Sequence, residues 1–198
     1  MIRTPFLLFF IFFSSGLFAQ TQTHHYAIEI AGVKVGTMTA TRQQQGEQVL
    51  YSTVSDVKVN LLVYNVKIYY KTDCRFQDGQ LMVSTVEART NRGNFFSKTE
   101  WKGDHYDIVA DQYKYKRQTT QKEKIDFSVT TLYFSEPVHR NKVFAEYFGD
   151  YFNVTKTSQG RYRTVFDDRE DEYIYQQGVL TRIIKKNAVK NFVIRLLD

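Results

Sequence analysis

The sequence predicts an all-β chain, a curved antiparallel meander forming a barrel or half-barrel, with one short helix or irregular segment near residues 137–150. Three observations predict it. Apolar and polar residues alternate in run after run, the period of two that places successive side chains on opposite faces of a strand. Glycine-bearing turns separate these runs at regular spacing, which gives roughly ten or eleven short strands. Proline, which cannot donate to a sheet ladder, is confined to Pro5 and Pro137. A sheet with that many strands does not stay flat and open, because strand twist curls it and free edges invite pairing with other chains.

Taken in order, the chain opens with Arg3, an apolar run from Phe6 to Phe13, and small residues ending at Ala19. That is the pattern of a secretory signal peptide cleaved after Ala19. The run is shorter than the roughly 20 residues that span a bilayer. Residues 1–19 are therefore expected to be removed, and 20–198 to form a single β-rich domain with no transmembrane segment, periplasmic or secreted.

Tyr26 to Ile30 and Lys34 to Arg42 alternate on either side of Gly32 and read as a hairpin. Val49 to Val59 is a strand whose sidedness is open, since neither the Tyr51, Thr53, Ser55 face nor the Leu50, Ser52, Val54 face is uniformly apolar. Asn65 to Phe76 is a clearer strand. Gln77-Asp78-Gly79-Gln80 is the strongest turn signal, because Asp-Gly suits the tight turns whose twist matches paired strands. Leu81 to Thr90, Phe95 to Lys102, His105 to Ala110 and Gln112 to Thr119 continue the meander. Tyr151 to Thr157, Arg161 to Phe166, Asp171 to Gln176, Val179 to Lys185 and Val189 to Leu197 complete it.

Residues 131–152 interrupt this pattern. Phe144, Tyr147, Phe148, Tyr151 and Phe152 fall at helical spacing, and Asn141 is an eligible N-cap. Gly149 weakens the second half of a helix there, so a short helix or turn is expected from about Asn141 to Phe148, followed by a strand. The segment should plug one end of the barrel or form a lid over an apolar cavity. Its aromatic residues Tyr133, Phe144, Tyr147 and Phe148 are the candidate ligand contacts, with Phe144 and Phe148 directed into the barrel mouth.

The formal charge of +6, one less without Arg3, is modest and argues against nucleic acid as a partner. Cys74, the only cysteine, excludes an intramolecular disulfide and is expected to be buried and inert. His24, His25, His105 and His139 show no metal-ligand spacing, and no catalytic residue, metal or cofactor is assigned. The acidic run Asp167 to Glu172 lacks the alternating carboxylates and central glycine of a calcium loop and reads as a solvated hairpin turn. Tyr113, Tyr115 and the intervening Lys114 and Lys116 read as a half-buried strand with a solvated basic face. Asn153-Val154-Thr155 fits the short N-glycosylation pattern.

Thr131-Leu132-Tyr133-Phe134, Glu136-Pro137, Val143-Phe144 with Glu146 and Gly149, and Tyr173-Ile174-Tyr175 ahead of Gly178 carry a likeness. In these the chain resembles a family of exported bacterial proteins common in Bacteroidota and known only as a domain of unknown function. The resemblance covers residues 20–198, is most specific at 132–137, and implies a periplasmic or secreted β-rich domain with no catalytic residue. In architecture alone the pattern is similar to half-barrel carriers of lipoproteins, a likeness of fold rather than of function. The expected function is non-enzymatic binding of a hydrophobic or amphiphilic molecule in the envelope. The alternative is a structural or assembly factor that docks on an envelope partner protein.

Overall fold

The computed structural model describes residues 20–61, 64–186 and 191–197. The expected signal peptide lies outside them, as does the start of the expected strand at Val189. Fourteen strands form one antiparallel sheet: β1 (Gln20–Ile30), β2 (Val33–Gln45), β3 (Gln48–Leu61), β4 (Tyr64–Gln77), β5 (Gln80–Thr90), β6 (Gly93–Trp101) and β7 (Tyr106–Gln112), then β8 (Tyr115–Gln121), β9 (Lys142–Ala145), β10 (Asp150–Ser158), β11 (Arg161–Phe166), β12 (Arg169–Gln176), β13 (Val179–Lys185) and β14 (Phe192–Leu196). Their order across the sheet is β8 to β1 and then β14 to β9. The chain's two ends meet in the middle, where Ile28 stands opposite Ile194 and Glu29 opposite Val193. Arg195 donates from Nε and Nη2 to Glu29 Oε1, at 3.0 and 2.6 Å, and ties that central pair.

The curved sheet is not a closed barrel. Its edges are β8 and β9, which residues 122–141 connect. The β9 edge is not left bare. Residues 127–129 lie parallel to β9, with Phe144 N–H donating to Phe127 O at 3.1 Å and Val129 N–H to Phe144 O at 2.8 Å. An ion pair between Arg117 of β8 and Asp150 of β10, 2.7 Å long, spans the gap. Covering an edge in these ways removes a template for unwanted strand pairing.

Three local expectations are corrected. The stretch expected as a short helix or turn from Asn141 to Phe148 is strand β9 followed by a tight turn. The one helical turn among the described residues is a 3-10 turn at Thr130–Tyr133. The helical spacing of the aromatics comes from a hairpin: Phe144 and Tyr151 are cross-strand partners with rings 5.4 Å apart, while Phe148 and Phe152 both stack near Phe166. The third correction concerns 112–119, which is split by a turn at Lys114, whose φ is +60°. Tyr113 sits on that turn and only Tyr115 faces inward, against Phe148.

The interior is divided into two parts. One cluster joins Cys74, Phe76, Leu81, Tyr106, Ile108 and Phe144 under β4–β7, with Ile125 inserted from the 122–141 segment. Tyr106 Oη donates to Leu81 O at 2.8 Å and accepts from Ile125 N–H at 3.3 Å, so this buried phenol is satisfied twice. The other cluster gathers Tyr26, Met38, Leu132, Tyr162, Tyr175 and Ile183 with their neighbours under β1–β3 and β10–β14. There Tyr175 Oη donates to Leu132 O at 2.8 Å and Tyr162 Oη to Glu136 Oε1 at 2.7 Å. These bonds hold the 3-10 turn against one wall while Tyr133 meets Tyr26 edge-on, ring centroids 5.6 Å apart.

Candidate ligand cavity

The second half of the interior also contains a cavity. A cavity of about 920 Å³ lies between β1–β4 on one side and β10–β14 on the other. Its size falls within the roughly 300–1,000 Å³ that small-molecule sites occupy. Two inserted pieces separate it from the packed half: the 3-10 turn with Val129, Thr130 and Tyr133, and the β9–β10 turn with Glu146, Tyr147 and Phe148. The second turn is held across the interior by Ser97 Oγ, which donates to Tyr147 O at 2.8 Å and itself accepts from Gln112 Nε2 at 2.8 Å.

Cross-strand register arranges the wall in bands. Ile28, Val57 and Ile68 fall on one transverse row of β1–β4, with Ile194 opposite Ile28, and form an apolar belt. Deeper rows carry Ser55 opposite Tyr70 and Thr53 opposite Thr72. Thr164 and Tyr173 face these from β11 and β12. The rim is charged and largely self-neutralised. Lys185 pairs with Asp171 at 2.6 Å and Lys186 with Glu170 at 2.5 Å, while the Arg169 guanidinium lies 4.6 Å from the centre of the Phe148 ring.

Two features of the wall are unusual. Glu146 is 3% exposed and lines the cavity, yet its described hydrogen bonds come from neutral donors: Thr130 N–H at 3.0 Å and Cys74 Sγ–H at 3.3 Å, both to Oε1. The Tyr173 hydroxyl and Thr164 Oγ1, on residues each 1% exposed, have no hydrogen-bond partner among the described residues. Buried polar atoms are rarely left in that state. Burial, and then the Glu146 charge, push the Cys74 thiol well above its ordinary value, so it remains a protonated donor as expected of an inert cysteine. Burial likewise raises the phenols of Tyr70, Tyr133 and Tyr173, with the Glu146 charge adding to each.

Of the candidate ligand contacts, Tyr133, Tyr147 and Phe148 line the cavity. Phe144 does not. It is fully buried on the far side of the turn, packed with Tyr106, Ile108 and Ile125. Tyr70 and Thr164 were not singled out from the sequence, and Glu146 and Tyr173 entered only through the family likeness, not as ligand contacts. The signal that could have found them is the mixed face of β3, which is polar inward because it borders a cavity. Among the described residues no three His, Cys, Asp or Glu side chains gather as a metal site. The acidic run 167–172 is a hairpin turn at Asp167-Asp168 whose carboxylates Glu170, Asp171 and Glu172 each pair with a cation.

The sequence profile of a domain of unknown function, DUF6134, matches residues 26–197. The chain belongs to that family. The match bears out the resemblance carried by residues 131–149 and 173–178, and it covers every strand of the sheet, β1 from Tyr26 onward. No curated protein and no solved structure matches the chain. No helix among the described residues is long and apolar enough to cross a membrane.

Proposed function

We propose that this protein binds a hydrophobic or amphiphilic molecule in the half-barrel cavity and does not transform it, and that it works in the cell envelope. The observation that carries the reading is the cavity itself, about 920 Å³ of space beside a packed core of the same sheet. Close packing is the rule in protein interiors. A hollow of this size, belted by Ile28, Val57, Ile68 and Ile194 and framed by two inserted turns, is what a carrier or receptor of a lipophile needs. Export rests on the basic, apolar and small-residue pattern of residues 1–19.

Native mass spectrometry of protein purified without detergent, together with titration of a fluorescent lipophilic probe, tests the binding. A bound lipid-class mass or saturable probe fluorescence is expected. Neither a co-purified ligand nor saturable probe binding would overturn the reading. An N-terminus found at Gln20 in the envelope fraction is the matching expectation for export, and an intact Met1 in the cytosol would contradict it.

A further inference from the structure

We infer that the ligand is a lipophile bearing a hydrogen-bond donor, a hydroxyl or an amine, and that the donor is seated deep in the cavity on Glu146 while the chain lies along the apolar belt. This rests on the binding function proposed above and adds the polarity and orientation of the ligand.

The deep wall is built for such a group. Glu146 is almost fully buried, lines the cavity, and forms no ion pair among the described residues. The hydrogen bonds that it accepts from described residues, Thr130 N–H and Cys74 Sγ–H, fall on one oxygen, Oε1. A carboxylate held this way is satisfied best by a further donor, and a hydrogen bond to a charged acceptor is among the stronger kinds. Tyr173 and Thr164 also line the cavity, and their buried hydroxyl oxygens have no hydrogen-bond partner among the described residues. The buried phenols of Tyr70 and Tyr133 keep their protons, so the deep wall holds one acidic acceptor among neutral groups.

The opposite orientation fits less well. An alkyl tail driven inward would strip water from Glu146 and return no hydrogen bond, which is the unfavourable way to bury a charge. A carboxylate head driven inward would face a like charge. At the rim Lys185 and Lys186 are already taken by Asp171 and Glu170, which leaves Arg169 as the cation without an ion pair among those lining the cavity.

Competition against a bound fluorescent probe distinguishes these cases. Hexadecanol, hexadecylamine and palmitate share one chain length and differ only in the head. The alcohol and amine are expected to displace the probe at roughly tenfold lower concentration than the acid. Glu146→Gln keeps an acceptor for Thr130 and removes the charge, so it should bring the amine within a few-fold of the acid. Equal displacement by all three in the unsubstituted protein overturns the inference and leaves the binding function standing. Tighter binding of palmitate, lost in Arg169→Gln, also overturns it and moves the head to the rim. Failure of the probe and of all three competitors overturns both. The comparison in the unsubstituted protein decides the matter even where Glu146→Gln does not fold.

Discussion

Gly149 closes the turn that separates the packed half of the interior from the half that holds the cavity, and the effect of giving it a side chain follows from its geometry. Its φ is +62°, and a Cβ built there would lie 2.4 Å from Ile108 Cγ2 and 4.0 Å from Ala110 Cβ. Alanine in the left-handed region costs about 1 kcal/mol. Forcing a methyl group into a filled core adds about 1–3 kcal/mol. Gly149→Ala should therefore lose about 2–4 kcal/mol, or roughly 4–16 °C in Tm for a chain of this length. Gly79 separates the two contributions, because its φ is +67° and nothing lies within 4 Å of its would-be Cβ. Gly79→Ala should cost only the backbone share, about 1 kcal/mol. Ile108→Ala removes the clashing Cγ2 at its own cavity cost, so the double substitution should fall short of additivity by about 1–2 kcal/mol. Urea denaturation followed by circular dichroism measures the four variants against the unsubstituted protein. If Gly149→Ala is no more destabilising than Gly79→Ala, the turn is not wedged against β7 as described.

Further outcomes follow from other contacts. Tyr175→Phe removes the donor to Leu132 O and should cost about 1–3 kcal/mol, with faster hydrogen exchange across residues 130–136; unchanged exchange there would show that the bond does not hold the 3-10 turn. Ser55→Trp places an indole in the cavity and should abolish probe binding while leaving Tm within a few degrees, so retained binding would argue against this cavity as the site. Alkaline pH should weaken the fold. Burial raises Tyr133, Tyr173 and Tyr175, and takes Tyr151 up to about 12, whereas an unfolded tyrosine ionises near pH 10. Between those values the native state binds more protons than the unfolded one. Stability is then complete below about pH 10 and falls as pH rises through about 12. Urea midpoints that stay level from about pH 8 to about pH 11 would contradict this.

The hairpins were legible because their causes are local. Alternation in 65–76 and 161–166 together with Asp78-Gly79 set strand limits that differ from the structure by no more than one residue at either end. Strand β9 was not legible. Val143, Phe144 and Ala145 are buried on both faces, so four residues with no alternation look the same as part of a helix. The joining of the sheet's two halves through β1 and β14 was equally hidden, because pairing between residues 166 apart leaves no periodic trace. At the cavity, the aromatic contacts were visible and the polar ones were not. Thr53 and Ser55 left the sidedness of β3 open, and Glu146 had nothing in its neighbourhood to mark it as buried.

The meeting of β1 and β14 has a consequence for how the chain assembles. Every other neighbouring pair in the sheet is also a neighbour in sequence, joined by a short connection, so those hairpins close locally and early. The pair formed by Tyr26 to Ile30 and Phe192 to Leu196 carries the greatest loop-closure entropy and must wait for the last strand to be made. Until then the free flank of β1, rich in apolar side chains, is an open template for any passing strand. The exposed interval is thus the time before β14 pairs with β1. Leu197 N–H donates to His25 O at 2.9 Å, so the seam, once formed, is held one step beyond the paired residues.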